Sequence, residues 1–159
     1  METLRKHSPE ARPSALEAHL GYWLRLVSNE VSHAFERALH KRDISVAEWV
    51  ALNQLATATG LTPATLAAAM GMTRGAISKI LDKLSAKQLI ARSVSALDNR
   101  VQILSLTAQG RRMLPQLTHI ADGNDELFFA ALSADEQAAL RNLLRKVART
   151  GQIVRIPVE

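Results

Sequence analysis

TPATLAAAMGMTRGAISKILDKLSAK, residues 62–87, holds two helical patterns separated by a glycine. Thr62 has the form of an N-cap, and Pro63 occupies a first turn, where a missing N–H costs nothing. After Ala67 and Met70 this short helix stops at Gly71. A second helix starts at Thr73 and runs to about Lys87, with Ile77, Ile80, Leu81 and Leu84 on one stripe. That stripe leaves Thr73, Arg74, Ala76, Ser78, Lys79 and Lys83 pointing away from it. Helix, glycine turn, helix is the organisation of a helix-turn-helix, whose second helix enters the DNA major groove by its N-terminal residues. Small side chains allow a deep approach there. Arg74 and Lys79 can donate to guanine O6 and N7, while Thr62, Thr73 and Ser78 can bond bases or phosphates. An ordinary surface helix with lysines on its wet side is the alternative reading of this segment alone.

Beyond residue 87 the period changes from helical to alternating. Residues 89–95 and 101–106 are β-branched-rich runs of strand length separated by Ala96, Leu97, Asp98, Asn99 and Arg100. They predict a hairpin beside the second helix, a wing that can place Arg100 in a neighbouring minor groove. Asp98 either braces the turn or holds Arg100, and Asp98 with Asn99 equally suits a plain turn. Thr107 caps a following helix from about Ala108, in which Pro115 predicts a kink. Ser133 with Glu136 is a capping-box pattern opening a last helix, with Leu140, Leu143, Leu144 and Val147 on one stripe.

On the other side, Ser45 with Glu48 opens a helix carrying Val46, Trp49, Val50, Leu52, Leu55 and Ala56 that stops before Gly60. Upstream, residues 14–41 place Leu16, Leu20, Leu24, Val27, Val31, Phe35 and Ala38 at steps of three and four. A helix of that length extends ~40 Å, more than one small domain covers, so part of its stripe is expected to meet another chain. Residues 1–14 carry several charges and no apolar segment, which predicts a loose arm rather than a signal peptide or anchor. The 25 uncharged residues 49–73 are long enough for a membrane span, but Gly60 and Pro63 break them near the middle.

Charge distribution agrees with a DNA-facing centre. Residues 61–112 hold eight Lys/Arg against two Asp/Glu, which accounts for the whole net charge of +5, since the two ends nearly balance. From charge alone, a solvated basic face fits equally well. The absence of cysteine excludes a disulfide framework, a thiolate metal site and a cysteine redox switch, and the compartment it leaves is the cytoplasm. His33 and His40 stand ~10 Å apart along one helix and cannot share a metal without ligands from elsewhere. No phosphate loop, HExxH helix or nucleophile elbow is present, so no enzyme class is supported.

The order of these elements resembles the MarR family of bacterial regulators. TRGAISKILDKL at 73–84 is similar to that family's recognition helix, LIAR at 89–92 to its first wing strand, and Asp98-Asn99-Arg100 to its Asp-x-Arg wing tip. LTAQG at 106–110 is similar to the opening of the family's fifth helix, and LGYWL at 20–24 and WVAL at 49–52 fit its first two. The likeness spans about residues 16–148. Where the family often has glycine, before its second helix and before the wing, this chain has Asp43 and Gln88, at sites that can need a left-handed backbone.

Together these readings predict a mainly α fold with a small β-hairpin wing. A single domain spans 15–150, with the winged helix-turn-helix at 45–107, dimerisation helices at 15–41 and 108–150, and a tail at 151–159. The resemblance implies a homodimer on double-stranded DNA, reading a pseudo-palindromic operator with half-sites ~34 Å apart, commonly as a repressor. It also implies release by a small aromatic effector, for which His19, Tyr22, Trp23, His33 and Trp49 are the candidate pocket residues, dimer core being the other reading of these aromatics. No cofactor, metal or membrane partner is expected. A DNA-coating protein without base preference and a winged helix used only for protein contacts are the alternatives.

Overall fold

The computed structural model describes residues 15–154 and 156–158. The arm expected over residues 1–14 lies outside the described residues. From residue 45 onward, each helix begins where the side chain of its N-cap residue can satisfy a free N–H group. Ser45 opens α2 (Val46–Thr57) with a reciprocal capping box to Glu48, and Thr62 opens α3 (Pro63–Met70) with another to Thr65. Thr73 caps α4 (Arg74–Ala86), Thr107 caps α5 (Ala108–Phe129), and Ser133 with Glu136 caps α6 (Ala134–Thr150). Gly71 ends α3 at φ 63°, as its position predicts.

The first helix departs from expectation. In place of one helix from Ser14, there is a 3-10 turn at Leu16–Ala18, an extended His19 and then α1 (Leu20–His40). Leu16 and Leu20 are 67% and 88% exposed, so no packing within the chain offsets the cost of extending the helix through them. The Trp23 indole N–H instead donates to the Glu17 carbonyl and ties the turn down.

Asp43 and Gln88 both take the left-handed backbone, at φ 55° and 56°. Each sits where the chain leaves a helix and must reverse at once, so the turns form at these non-glycine residues at some steric cost. After Gln88 come β1 (Ile90–Val94) and β2 (Gln102–Leu106), antiparallel with Ile90 opposite Leu106 and Val94 opposite Gln102. The Leu104 N–H also donates to the Leu61 carbonyl, which binds the hairpin to the approach to α3.

The core lies beneath the helix-turn-helix. Leu39 from the end of α1, Ile44 from the turn after it, Leu52, Leu66, Met70, Ile77, Leu81, Leu84, Leu89 and Leu117 are fully buried and form it. Helix α2 runs through its middle and buries Glu48, Val50, Ala51, Leu52 and Leu55, whereas Ala56, expected on its apolar face, is exposed. A helix surrounded by α3, α4, α5 and β2 has no single inner face, so its pattern carries little directional information. Helix α5 can cross the hairpin closely because Gly110 has no side chain. A Cβ there would stand 2.1 Å from the Leu89 carbonyl oxygen. Helix α6 buries no residue, and Leu143, Leu144 and Val147 are exposed along it. Among the described residues no helix is long and apolar enough to cross a membrane, and the uncharged run of 49–73 is divided between α2 and α3.

Candidate nucleic-acid interface

Burying Ile77, Ile80, Leu81 and Leu84 fixes how α4 is rotated, and the rest of the surface follows from that. Thr73, Arg74, Ser78, Lys79 and Lys83 are exposed, and Ala76 is half-buried at the edge. Between α4, the hairpin and the start of α3 lies an open groove of about 720 Å³. Arg74 and Ser78 line it from α4, Thr62 and Pro63 from α3, and Arg92, Arg100 and Gln102 from the wing. Three guanidinium groups thus converge on one concavity with hydroxyl and amide groups between them. Such a surface suits a phosphate backbone and adjoining base edges.

Arg92 and Gln102 were not among the sequence candidates. Register explains their presence, since Ile90, Arg92 and Val94 share a face with Leu106, Leu104 and Gln102. Near the base of the wing that face is apolar and buried, and nearer the tip the same face emerges beside α4. The alternation Ile90, Arg92, Val94 would have been the signal. The Arg92 guanidinium also bonds the Asp82 carboxylate at 2.6 Å, clamping the wing strand to α4. Some of its charge is therefore compensated within the protein, while Arg74 is exposed and forms no salt bridge among the described residues.

At the wing tip, one carboxylate oxygen of Asp98 accepts from the backbone N–H of Arg100 at 2.9 Å and from its Nε at 3.3 Å. Asp98 therefore bonds both the turn backbone and the arginine side chain, the two roles that its position offered as alternatives. The Arg100 side chain is 91% exposed, so its remaining donors face solvent. Asn99 is exposed beside it. The two threonines carry a structural task as well: Thr62 Oγ1 accepts from Thr65 N–H at 3.1 Å, and Thr73 Oγ1 from Ala76 N–H at 3.2 Å. The Thr73 hydroxyl hydrogen remains the group with which it can meet a ligand, whereas Thr62 Oγ1 also lies 3.1 Å from Thr65 Oγ1, within hydrogen-bond reach.

Behind α4, Lys87 ties together three elements. Its Nζ bonds the Glu48 carboxylate at 2.9 Å and also the Asp43 carbonyl oxygen, with the Asp43 carboxylate 3.5 Å away. Glu48 is almost completely buried, and its second carboxylate oxygen accepts from Ser45 N–H at 2.7 Å as part of the helix cap. Sequence reading identified Glu48 only as a capping residue, because its ionic partner lies 39 positions away.

The aromatic candidates occupy separate places. Tyr22 and Trp23 meet edge to face at 5.4 Å near the start of α1, and Trp49 meets Phe35 at 5.0 Å farther along it. A cleft of about 560 Å³ between α1 and the start of α2 is lined by His33 with Ser28, Ser32 and Ala47, and not by His19, Tyr22, Trp23 or Trp49. Among the described residues, no group of three or more His, Asp or Glu side chains is arranged to hold a metal ion.

Residues 42–100 match the sequence model of the MarR family. An uncharacterized HTH-type transcriptional regulator of Bacillus cereus, BCE33L1758, is 31% identical over 143 residues, covering 86% of this chain and 93% of that protein. The HTH-type transcriptional repressor Rv2887 of Mycobacterium tuberculosis is 29% identical over 131 residues, 82% of this chain and 94% of its own. Among solved structures, a mutant MarR from E. coli complexed with operator DNA superposes with a TM-score of 0.69 at 27% identity, covering 80% of this chain and 92% of that one.

Proposed function

Because this chain belongs to the MarR family of winged helix-turn-helix transcriptional regulators, we propose that it binds a pseudo-palindromic operator as a homodimer and represses by covering the promoter. The observation that carries this reading is the convergence of Arg74, Arg92 and Arg100 with Ser78 and Gln102 around the open groove beside α4. Arg74, Ser78 and Lys79, with the small Ala76, read base edges. Thr62, Thr73, Lys83, Asn99 and Arg100, the last held by Asp98, meet the backbone and the adjacent minor groove. The operator-bound MarR structure and the repressor named among the relatives support it.

Dimerisation follows from what the protomer leaves uncovered. Leu16, Leu20, Leu24 and Val27 at one end and Leu143, Leu144 and Val147 on α6 are all exposed. Apolar stripes of this extent are covered by a second copy in a stable cytoplasmic protein. A small aromatic effector entering beside α1, where His33 lines the cleft, would release the DNA.

Selection of bound duplexes from a random pool tests the reading, since a twofold-symmetric enriched site is expected. Against that site, Arg100→Ala should weaken binding and flatten its salt dependence, whereas Arg74→Ala should also relax base preference. If both variants bind within twofold of the parent, the assigned interface is wrong. Equal affinity for every duplex would replace a regulator with a non-specific DNA-binding protein. Titration of aromatic acids into the complex tests effector release, and no release by any of them would remove that part.

A further inference from the structure

The segment after α6 does not trail away from the fold. At the end of α6 the Gln152 N–H bonds the Arg149 carbonyl and the Ile153 N–H bonds the Ala148 carbonyl, with Gln152 in the left-handed backbone at φ 52°. This turn redirects the chain, and Ile156 and Val158 reach the main core and pack against it, half-buried. Ile156, Pro157 and Val158 form one wall of a cavity of about 380 Å³ whose other wall is Met70, Gly71, Met72, Thr73 and Ala76. Those five residues are the turn of the helix-turn-helix and the first turn of α4. Val158 also faces the cleft between α1 and α2, so it stands between that cleft and the turn. The cavity reaches α4 on its Ala76 side. The groove on the other side, lined by Arg74 and Ser78, stays open.

We propose that residues 156–158 are a strap that holds the turn of the helix-turn-helix against α1 and α2 and thereby sets the pose of α4. The proposal deepens the DNA-binding reading above and rests on it. Three features argue for a brace and not a blocking segment. The side chains of the strap are apolar, and across the cavity from them stand Met70 and Met72, whose flexible side chains adapt to whatever covers them. Pro157 has no N–H to leave unsatisfied and restricts the strap to an extended form. The strap also follows α6 after only five residues, and α6 buries nothing within its own protomer. Fixing α6 against a second copy therefore fixes the origin of the strap, and pairing of copies becomes felt at Thr73.

Removing residues 154–159 from the full dimeric protein tests this, with Ile156→Asp and Val158→Asp in the complete chain as variants that keep its length. Against the duplex selected by the parent, binding at least tenfold weaker is expected with dimer mass unchanged by light scattering. Amide exchange over residues 70–76 should be faster, and Val158→Ile should stay within twofold of the parent. Affinity within twofold for the truncated chain and both aspartate variants overturns the strap. A shift to monomer in all three also overturns it, by assigning the tail to the surface between copies. Should the parent bind no duplex, the DNA reading fails, and amide exchange at 70–76 then decides the strap alone: faster supports it, unchanged refutes it.

Discussion

Replacing Lys87 by Met removes one cation and leaves Glu48 almost completely buried with a single N–H, that of Ser45, on its carboxylate. It also deprives the Asp43 carbonyl oxygen, on the left-handed turn between α1 and α2, of its lysine donor. Breaking a buried ion pair from one side costs roughly 3–5 kcal/mol, because the remaining charge has lost its partner and stays out of water. Lys87 is 25% exposed, so some water reaches the site, and the low end, about 3 kcal/mol, applies here. For a chain of this size that is a fall in melting temperature of roughly 6–12 °C. Protein concentration must be held constant between variants, since the proposed dimerisation would couple to unfolding. The check is a double-mutant cycle with Glu48→Gln, read by thermal and urea unfolding. Lys87→Met/Glu48→Gln should lose clearly less than the two single variants together, with a coupling of about 1–3 kcal/mol. A melting temperature within 2 °C of the parent for Lys87→Met, or no coupling, would refute the view that this pair locks α4 to the junction of α1 and α2.

Gly110→Ala places a methyl group 2.1 Å from the Leu89 carbonyl oxygen, so α5 must move off the hairpin. About 3 kcal/mol of destabilisation is expected, and an unchanged urea midpoint would contradict the close approach. Gln88→Gly relieves a left-handed backbone while keeping the carbonyl that accepts from Thr107, and a gain of about 0.5–1 kcal/mol is expected by urea unfolding. Asp43→Gly should gain less, because it also removes the carboxylate beside Lys87. Leu143→Glu with Val147→Glu puts charge on the exposed stripe of α6 and should yield monomers by light scattering with helical content retained. An intact dimer would move the interface elsewhere.

Local chemistry was legible wherever a few adjacent residues suffice to specify a structure. Ser45, Thr62, Thr73, Thr107 and Ser133 accept bonds from N–H groups three positions on, so the starts of α2 to α6 could be read directly. The stripe of Ile77, Ile80, Leu81 and Leu84 is buried as its spacing demands, which places Arg74 and Ser78 on the open side. Asp98 and Arg100, two residues apart, bond as their separation allows.

Other features depended on partners far away in the chain. The pairing of Glu48 with Lys87, the inclusion of Arg92 and Gln102 in the groove and the return of Ile156 and Val158 to the turn each join residues that neighbouring sequence does not relate. The break at His19 belongs with them, because the periodic pattern continues through it and only a lack of surface to pack against separates helix from turn. Periodicity and capping are short-range properties written within one or two turns of chain. Which faces meet, and which charges are then shut away from water together, depends on how those turns are assembled in space.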